Sequence, residues 1–238
     1  MTDSQCVLPM LTTPIRHPAR YTHAILETIA PYLKKGWRVL DPFAGVGGLA
    51  RLGYTGARVY LNELEPVCIS QAAGGCRVNG NAFALPFAGE TFDAVATSPT
   101  YGNRMADHHQ ARDASRRNTY FHALGALHPD NTGLLHFGAA YCERHTRAWC
   151  EAHRVLKVGG LFLLNVSDHI RAGQRVYVSK WHYDTARAVG FRLLACHAVK
   201  TPRNRYGANG QLRCPVEYIF VFQKEPTTKP ATSRTSEL

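Results

Sequence analysis

Short apolar runs alternate along this chain with longer segments in which apolar residues recur at helical spacing. The short runs predict strands at 37–40, 57–61, 92–97 and 161–166. The helical spacing predicts helices over 21–33, 67–76, 141–155 and 178–189. A Gly-Gly pair predicts a turn at 157–160, and two further strands, 191–199 and 217–222, pair at the end of the chain. This alternation predicts an α/β fold with a Rossmann-like, doubly wound, mostly parallel sheet that ends in an antiparallel strand pair.

The length of 238 residues suits one hydrophobic core, so we expect a single domain over 1–224. The Pro-, Thr- and Ser-rich segment 225–238 is predicted to be a disordered tail. Between 103 and 140 the alternation of strands and helices gives way to a stretch rich in histidine and arginine. This stretch is longer than the usual connection in an α/β domain, and we interpret it as a substrate-recognition insertion.

The charge of the chain favours a polyanionic partner. Lys and Arg number 28 against 17 Asp and Glu, a formal net charge of +11. A soluble basic protein without such a partner is the alternative. The seven cysteines include no C-x-x-C pair, so we predict neither a disulfide framework nor a metal site, and we expect a reducing cytoplasm. No apolar run approaches the ~20 residues needed to cross a bilayer, which predicts no association with membranes.

Two motifs follow predicted strands. The first is Asp-Pro-Phe-Ala-Gly-Val-Gly-Gly at 41–48, whose glycines let the backbone turn tightly and approach a ligand. The second is Ser-Pro-Thr-Tyr-Gly-Asn-Arg at 98–104. Open α/β sheets place their chemistry at the carboxyl ends of strands, so the first motif predicts a nucleotide-like cofactor and the second a catalytic loop.

The order of elements and motifs over roughly 14–223 resembles the class I S-adenosylmethionine-dependent methyltransferases. Within them it is most similar to the DNA amino-methyltransferases of the cytosine-N4 and adenine-N6 type. The resemblance implies S-adenosyl-L-methionine as cofactor, with its methionine part held by the first motif. The residues so implied are Asp41, Phe43, Ala44, Gly45 and Gly47.

The same resemblance implies further cofactor contacts. Glu63, after the second strand, occupies the place of the acid that holds the ribose hydroxyls, and Glu65 is the neighbouring candidate. Asn81 occupies the place of the residue that meets the adenine. His17 and Pro18 belong to a segment that resembles the one closing over the cofactor in this family.

The second motif resembles the [Asp/Asn/Ser]-Pro-Pro-[Tyr/Phe] loop of these enzymes, with Thr100 in place of the second proline. The Ser98 hydroxyl and the Pro99 carbonyl would accept hydrogen bonds from the amino group of a base, and Tyr101 would stack on that base. Ser98 at the first position favours cytosine over adenine. The loop has no cysteine, which excludes the Pro-Cys nucleophile of the enzymes that methylate the cytosine ring.

Six arginines in two polar segments are expected to contact nucleic acid: Arg104, Arg112, Arg116, Arg117, Arg203 and Arg205. We predict a methyltransferase that acts on the exocyclic amino group of a base in DNA, cytosine-N4 before adenine-N6. An RNA base amino-methyltransferase is one alternative. A catalytically silent binding subunit with this fold and a small-molecule methyltransferase are the others.

Overall fold

A central sheet of seven strands organises the molecule in a computed structural model that describes residues 21–102, 126–202 and 210–226. The strands of the sheet are β1 (Arg38–Asp41), β2 (Arg58–Glu63), β3 (Cys76–Asn79), β4 (Phe92–Thr97), β5 (Leu156–Val166), β8 (Phe191–Lys200) and β9 (Val216–Lys224). A separate hairpin pairs β6 (His169–Arg171) with β7 (Gln174–Val176).

The spatial order of the main sheet is β3-β2-β1-β4-β5-β9-β8. The first five strands in this order are parallel, whereas β9 runs antiparallel to both of its neighbours, β5 and β8. This topology confirms the predicted Rossmann-like sheet and its antiparallel pair.

Within the described ranges, four α-helices flank the sheet: α1 (His23–Ile29), α2 (Pro66–Ser70), α3 (Ala139–Val155) and α4 (Val178–Val189). Short 3₁₀ helices lie at Ala30–Tyr32, Gly48–Thr55, Thr132–Leu134 and Gly210–Leu212. No helix in the described part of the chain is long and apolar enough to span a membrane.

The sheet separates two apolar clusters, because successive strand residues face opposite sides. On one side Val39 and Leu61 pack with Ile25 of α1. On the other side Leu40 and Phe162 pack with residues of α3 and α4, of which Trp149 is the largest fully buried side chain. The helices on both faces keep the carboxyl edge of the parallel strands open to loops.

The predicted helix over 67–76 is wrong in its second half. Helix α2 ends at Ser70, and the chain then turns through Gly74 and Gly75, which adopt left-handed φ values of +79° and +69°. The following residues form β3, a largely exposed edge strand without the apolar run that would reveal it in the sequence.

Two other departures concern turns. The residues 157–160 lie inside β5, where the register with β4 shifts between Phe92 and Ala94, so the predicted turn is a bulge in a longer strand. The hairpin β6–β7 was not predicted. Its two-residue turn is Ala172-Gly173, and both residues have positive φ, 49° and 74°.

Candidate active site

The carboxyl ends of β1, β2 and β4 bring three predicted site residues to one edge of the sheet. Asp41 ends β1, Glu63 ends β2, and Ser98 directly follows β4. Strand β1 lies between the other two and is parallel to both. The first motif and the catalytic loop are therefore neighbours, as the sequence predicts.

Asp41 is fully buried, and its carboxylate accepts hydrogen bonds from other groups of the protein. Its Oδ1 accepts from the Thr97 hydroxyl at 2.7 Å and from the Phe43 backbone N–H at 3.1 Å. Its Oδ2 accepts from the Tyr21 hydroxyl at 3.3 Å. Burial raises the pKa of Asp41 to about 7, against the opposing effect of these donors. Asp41 thus fixes the loop to β4 and presents no unengaged oxygen to solvent.

The loop after Asp41 turns on glycines with positive φ, 54° at Gly45 and 80° at Gly47. The Phe43 ring packs against His145 of α3 with ring centroids 5.7 Å apart. Ala44 is buried, and its N–H donates to the Asn62 carbonyl at 3.0 Å. Phe43 and Ala44 therefore anchor the loop. The N–H groups of Gly45 and Gly47 are bonded within the protein, to Glu63 and to the Ala44 carbonyl at 2.8 Å.

Glu63 lies beside this loop and is partly buried. Its Oε2 accepts from the Gly45 N–H at 2.7 Å, and its Oε1 accepts from the Glu65 N–H at 3.0 Å. Burial raises the pKa of Glu63, although both hydrogen bonds favour the ionised form. The Leu64 N–H also contributes a hydrogen bond to this carboxylate, which leaves acceptor capacity for a ligand hydroxyl.

Glu65, the neighbouring candidate, has a different role in the structure. Its buried carboxylate accepts from the His128 N–H at 3.0 Å and from the Asn131 amide at 2.8 Å, both through Oε1. Asn81 is tied to the same segment, since its amide donates to Asp130 at 2.8 Å. The segment 128–131 therefore contacts both Glu65 and Asn81.

These residues fit a nucleotide-like cofactor. The Gly45–Gly48 backbone carries only one Cβ, that of Val46, and Glu63 beside it keeps acceptor capacity for a ribose hydroxyl. Asn81 uses its carbonyl oxygen to accept from the Phe83 N–H at 2.9 Å, so the orientation of its side chain is fixed. The three features occur at the carboxyl edge of the sheet, where this fold places ligands.

The catalytic loop contains a hydrogen-bond cluster built from three strands. Ser98 Oγ lies 2.9 Å from the Tyr101 hydroxyl. The Tyr101 hydroxyl donates to Glu217 Oε2 at 3.1 Å, and the Asn165 amide donates to the same oxygen at 2.7 Å and to Ser98 Oγ at 3.2 Å. No described residue donates to the Pro99 carbonyl. Ser98 and Tyr101 are thus held in place while the Pro99 carbonyl keeps its acceptor capacity.

A second chain of hydrogen bonds joins the catalytic loop to helices α3 and α4. Trp149 donates to His182 Nδ1 at 3.1 Å, so the imidazole proton is on Nε2, which donates to the Tyr141 hydroxyl at 2.8 Å. The Tyr141 hydroxyl in turn donates to the Thr100 carbonyl at 2.6 Å. Burial lowers the pKa of His182 well below its usual value, which keeps this imidazole neutral.

The predicted nucleic-acid residues Arg104, Arg112, Arg116, Arg117, Arg203 and Arg205 lie outside the described residues, as do His17 and Pro18. The structure does describe where both arginine-bearing segments begin and end. The first leaves the catalytic loop at Gly102 and returns at Phe137, whose N–H donates to the Gly102 carbonyl at 2.7 Å. The second is closed at its base by the Thr201 N–H and the Pro215 carbonyl, 2.8 Å apart.

Sequence reasoning missed Glu217 and Asn165 as site residues. Asn165 is the last residue but one of β5 and Glu217 the second residue of β9, and both are buried polar residues in apolar strands. A polar residue inside an apolar run was the available signal, because burial of such a group requires a partner. Nothing in the sequence indicated that both meet the catalytic loop.

The fold is that of class I methyltransferases. A methyltransferase described as S-adenosylmethionine-dependent, from Methanosarcina mazei, matches with a TM-score of 0.56 at 14% identity over 83% of this chain and 97% of that one. A TehB-like S-adenosylmethionine-dependent methyltransferase from Corynebacterium glutamicum matches with 0.51 at 18% identity over 84% and 86%. The cyclase SpnF matches with 0.54 at 17% identity over 84% and 80%, so the fold also serves other reactions. No protein-family model and no curated protein matches the chain.

Proposed function

We propose that this protein is an S-adenosyl-L-methionine-dependent methyltransferase that acts on the exocyclic amino group of a base in DNA, cytosine-N4 before adenine-N6. The observation that carries the proposal is the catalytic loop. It presents the Ser98 hydroxyl and the Pro99 carbonyl beside the glycine loop, to which it is joined through the hydrogen bond from Thr97 to Asp41.

The cofactor assignment is supported by the fold and by the residues at the ends of β1 and β2. The S-adenosylmethionine-dependent methyltransferases of M. mazei and C. glutamicum share the fold, and Glu63 and the glycines at 45 and 47 match a nucleoside with a ribose diol. When bound, this cofactor supplies an electrophilic methyl group on a positively charged sulfur.

The residues of the catalytic loop are suited to a weak nucleophile. The lone pair of a base amino group is delocalised into the ring, so it becomes reactive only when the amino group turns pyramidal. Ser98 Oγ donates to Tyr101 and accepts from Asn165, which leaves one acceptor site for an amino proton. The Pro99 carbonyl accepts the other proton. Two fixed acceptors favour the pyramidal amino group and aim its lone pair away from the protein.

Tyr101 orients the base. Its hydroxyl is bound to Glu217 and lies near Ser98, which fixes the partly buried ring beside the acceptors. A base taken out of a duplex stacks on such a ring, which brings its amino group to Ser98. The hydroxyl is fully engaged in the cluster, so the ring face is the part that contacts the base.

The net charge of +11 and the roots of the two loops support a nucleic-acid substrate. One arginine-bearing segment begins at Gly102, one residue after Tyr101, and the other begins beside Glu217, which is bound to Tyr101. Both segments therefore start close to Tyr101, and phosphate contacts from them would hold the strand over the loop.

The test is transfer of a labelled methyl group from S-adenosylmethionine to unmethylated duplex DNA and, in parallel, to bulk RNA. The wild-type protein is expected to label DNA in a salt-sensitive manner. Ser98→Ala is expected to reduce the rate of transfer about tenfold or more, because it removes one oriented contact in the transition state. Ser70→Ala, an exposed serine on α2, is the matched control and retains full activity. Label in RNA alone would refute the DNA assignment, and no label in either would refute the proposed function.

A further inference from the structure

Glu217 is a buried carboxylate at the start of β9 that belongs to the catalytic cluster. The residue is 6% exposed. Its Oε2 accepts from the Tyr101 hydroxyl at 3.1 Å and from the Asn165 amide at 2.7 Å. A carboxylate in such a position carries an electrostatic and desolvation cost that an apolar residue would avoid. Orientation of Tyr101 needs only a neutral acceptor, whereas a carboxylate at this position can also take up a proton.

The hydrogen bonds that join Ser98, Tyr101 and Glu217 run in one direction. An ionised carboxylate only accepts, so the single proton of the Tyr101 hydroxyl is donated to Glu217. The bond of 2.9 Å between Tyr101 and Ser98 must then use the Ser98 proton. Ser98 Oγ accepts from Asn165 at 3.2 Å and has one acceptor site left. The chain runs from an incoming N–H through Ser98 and Tyr101 to Glu217.

We propose that Glu217 takes up the proton that the target amino group loses on methylation, relayed through the hydroxyls of Ser98 and Tyr101. This inference rests on the proposed function. The amino lone pair forms the new N–C bond while the S–C bond breaks with its electron pair on sulfur, and the positive charge passes to the amino nitrogen. That nitrogen gives one proton to Ser98 Oγ, Ser98 gives its own to Tyr101, and Tyr101 gives its own to Glu217 Oε2.

The relay leaves a neutral methylated amine, two neutral hydroxyl groups and a protonated Glu217, which returns its proton to solvent before the next turnover. Among the described side chains bonded to the hydroxyls of Ser98 and Tyr101, Glu217 is the group that can hold the proton, because Asn165 does not ionise and a hydroxyl passes on what it receives. The nearby carboxylate Asp41 is bound instead to Thr97, Tyr21 and the Phe43 N–H.

Asn165 is the positioning residue of the relay. Its amide nitrogen lies within hydrogen-bond distance of both ends, Glu217 Oε2 at 2.7 Å and Ser98 Oγ at 3.2 Å. Its buried Oδ1 has no hydrogen-bond partner among the described residues, and an unsatisfied buried acceptor lowers the stability of the fold. We therefore expect Asn165 to fix the distance between the first and last members of the chain.

The experiment compares wild type with Glu217→Gln, which keeps the size and one acceptor oxygen of the side chain but cannot take a proton. We expect kcat for methyl transfer to fall on the order of 100-fold. KM for the nucleic acid, the Kd for S-adenosylmethionine measured by calorimetry and the thermal midpoint should stay close to wild type. Glu143→Gln, an exposed residue on α3, is the matched control and should change none of these quantities.

A second variant separates proton uptake from structural support. Glu217→Asp retains a carboxylate, and we expect its kcat to exceed that of Glu217→Gln at least tenfold even if both variants lose thermal stability. Equal rates for the two variants, or a Glu217→Gln rate within twofold of wild type, would overturn the proposal. A rise in KM at constant kcat would overturn it as well and indicate a binding role. A wild-type protein that methylates neither DNA nor RNA would instead refute the proposed function.

Discussion

Replacing Asp41 by asparagine is expected to change how the stability of this protein depends on pH. Asp41 is fully buried at the end of β1, and burial is the largest influence on its pKa, which rises from an ordinary value of 3.8 to about 7. Hydrogen bonds from Thr97, the Phe43 N–H and Tyr21 lower the pKa only in part. The folded protein therefore holds a proton on Asp41 under conditions in which the unfolded chain has released it.

The sign and size of the effect follow from this difference. The stabilising contribution of protonated Asp41 is fully present below its unfolded pKa and is lost as the pH rises through the folded pKa of about 7. Each pH unit in that interval corresponds to about 1.4 kcal/mol. Between about pH 5 and about pH 8 the free energy of unfolding should fall by roughly 3 kcal/mol through this residue.

The assay is urea denaturation of wild type and Asp41→Asn at both pH values, with the free energy of unfolding compared between them. An asparagine side chain does not titrate, so the variant should lack the roughly 3 kcal/mol fall and gain stability relative to wild type at the higher pH. Asp184→Asn, whose exposed carboxylate pairs with Lys180 on α4, is the control and should keep the wild-type dependence. The same pH dependence in wild type and Asp41→Asn would refute the reasoning.

Two further substitutions test the geometry around the site. Gly47→Ala should lower the free energy of unfolding by about 1–3 kcal/mol more than Gly36→Ala. Both glycines have positive φ, 80° and 83°, but a Cβ at Gly47 would lie 2.7 Å from the Cβ of Ala72, whereas nothing lies within 4 Å at Gly36. Equal losses in chemical denaturation would contradict that contact. Glu65→Ala should accelerate amide hydrogen exchange in 128–131, because it removes the acceptor that holds this segment, and unchanged exchange would show that other contacts hold it.

The central strands and long helices of the fold were predictable because each carries a strong local pattern. Strand β4 and helix α4 have the bounds predicted from the sequence, 92–97 and 178–189. Strand β3 was not predictable in this way. It is an exposed edge strand of four residues that forms because the parallel pairing with β2 supplies partners from outside its own sequence.

The candidate site was predictable where motifs place residues at strand ends, as with Asp41, Glu63 and Ser98. The missing part consists of contacts between residues distant in the chain. Glu217 and Tyr101 are 116 positions apart, and Asn165 lies on a third strand, so no local spacing links them. The partners of Phe43 and Glu65 were not predictable for the same reason, since they lie on α3 and in the segment 128–131.

The measurement that tests the central claim most directly is mass spectrometry of nucleosides from duplex DNA incubated with the protein and S-adenosylmethionine that carries a deuterated methyl group. We expect the label on the exocyclic amino nitrogen of cytosine. The amount of label should fall when the Ser98 hydroxyl is removed by Ser98→Ala. Label on adenine-N6 would keep the mechanism and change the base. Label on a ring carbon, or DNA without label, would contradict the account.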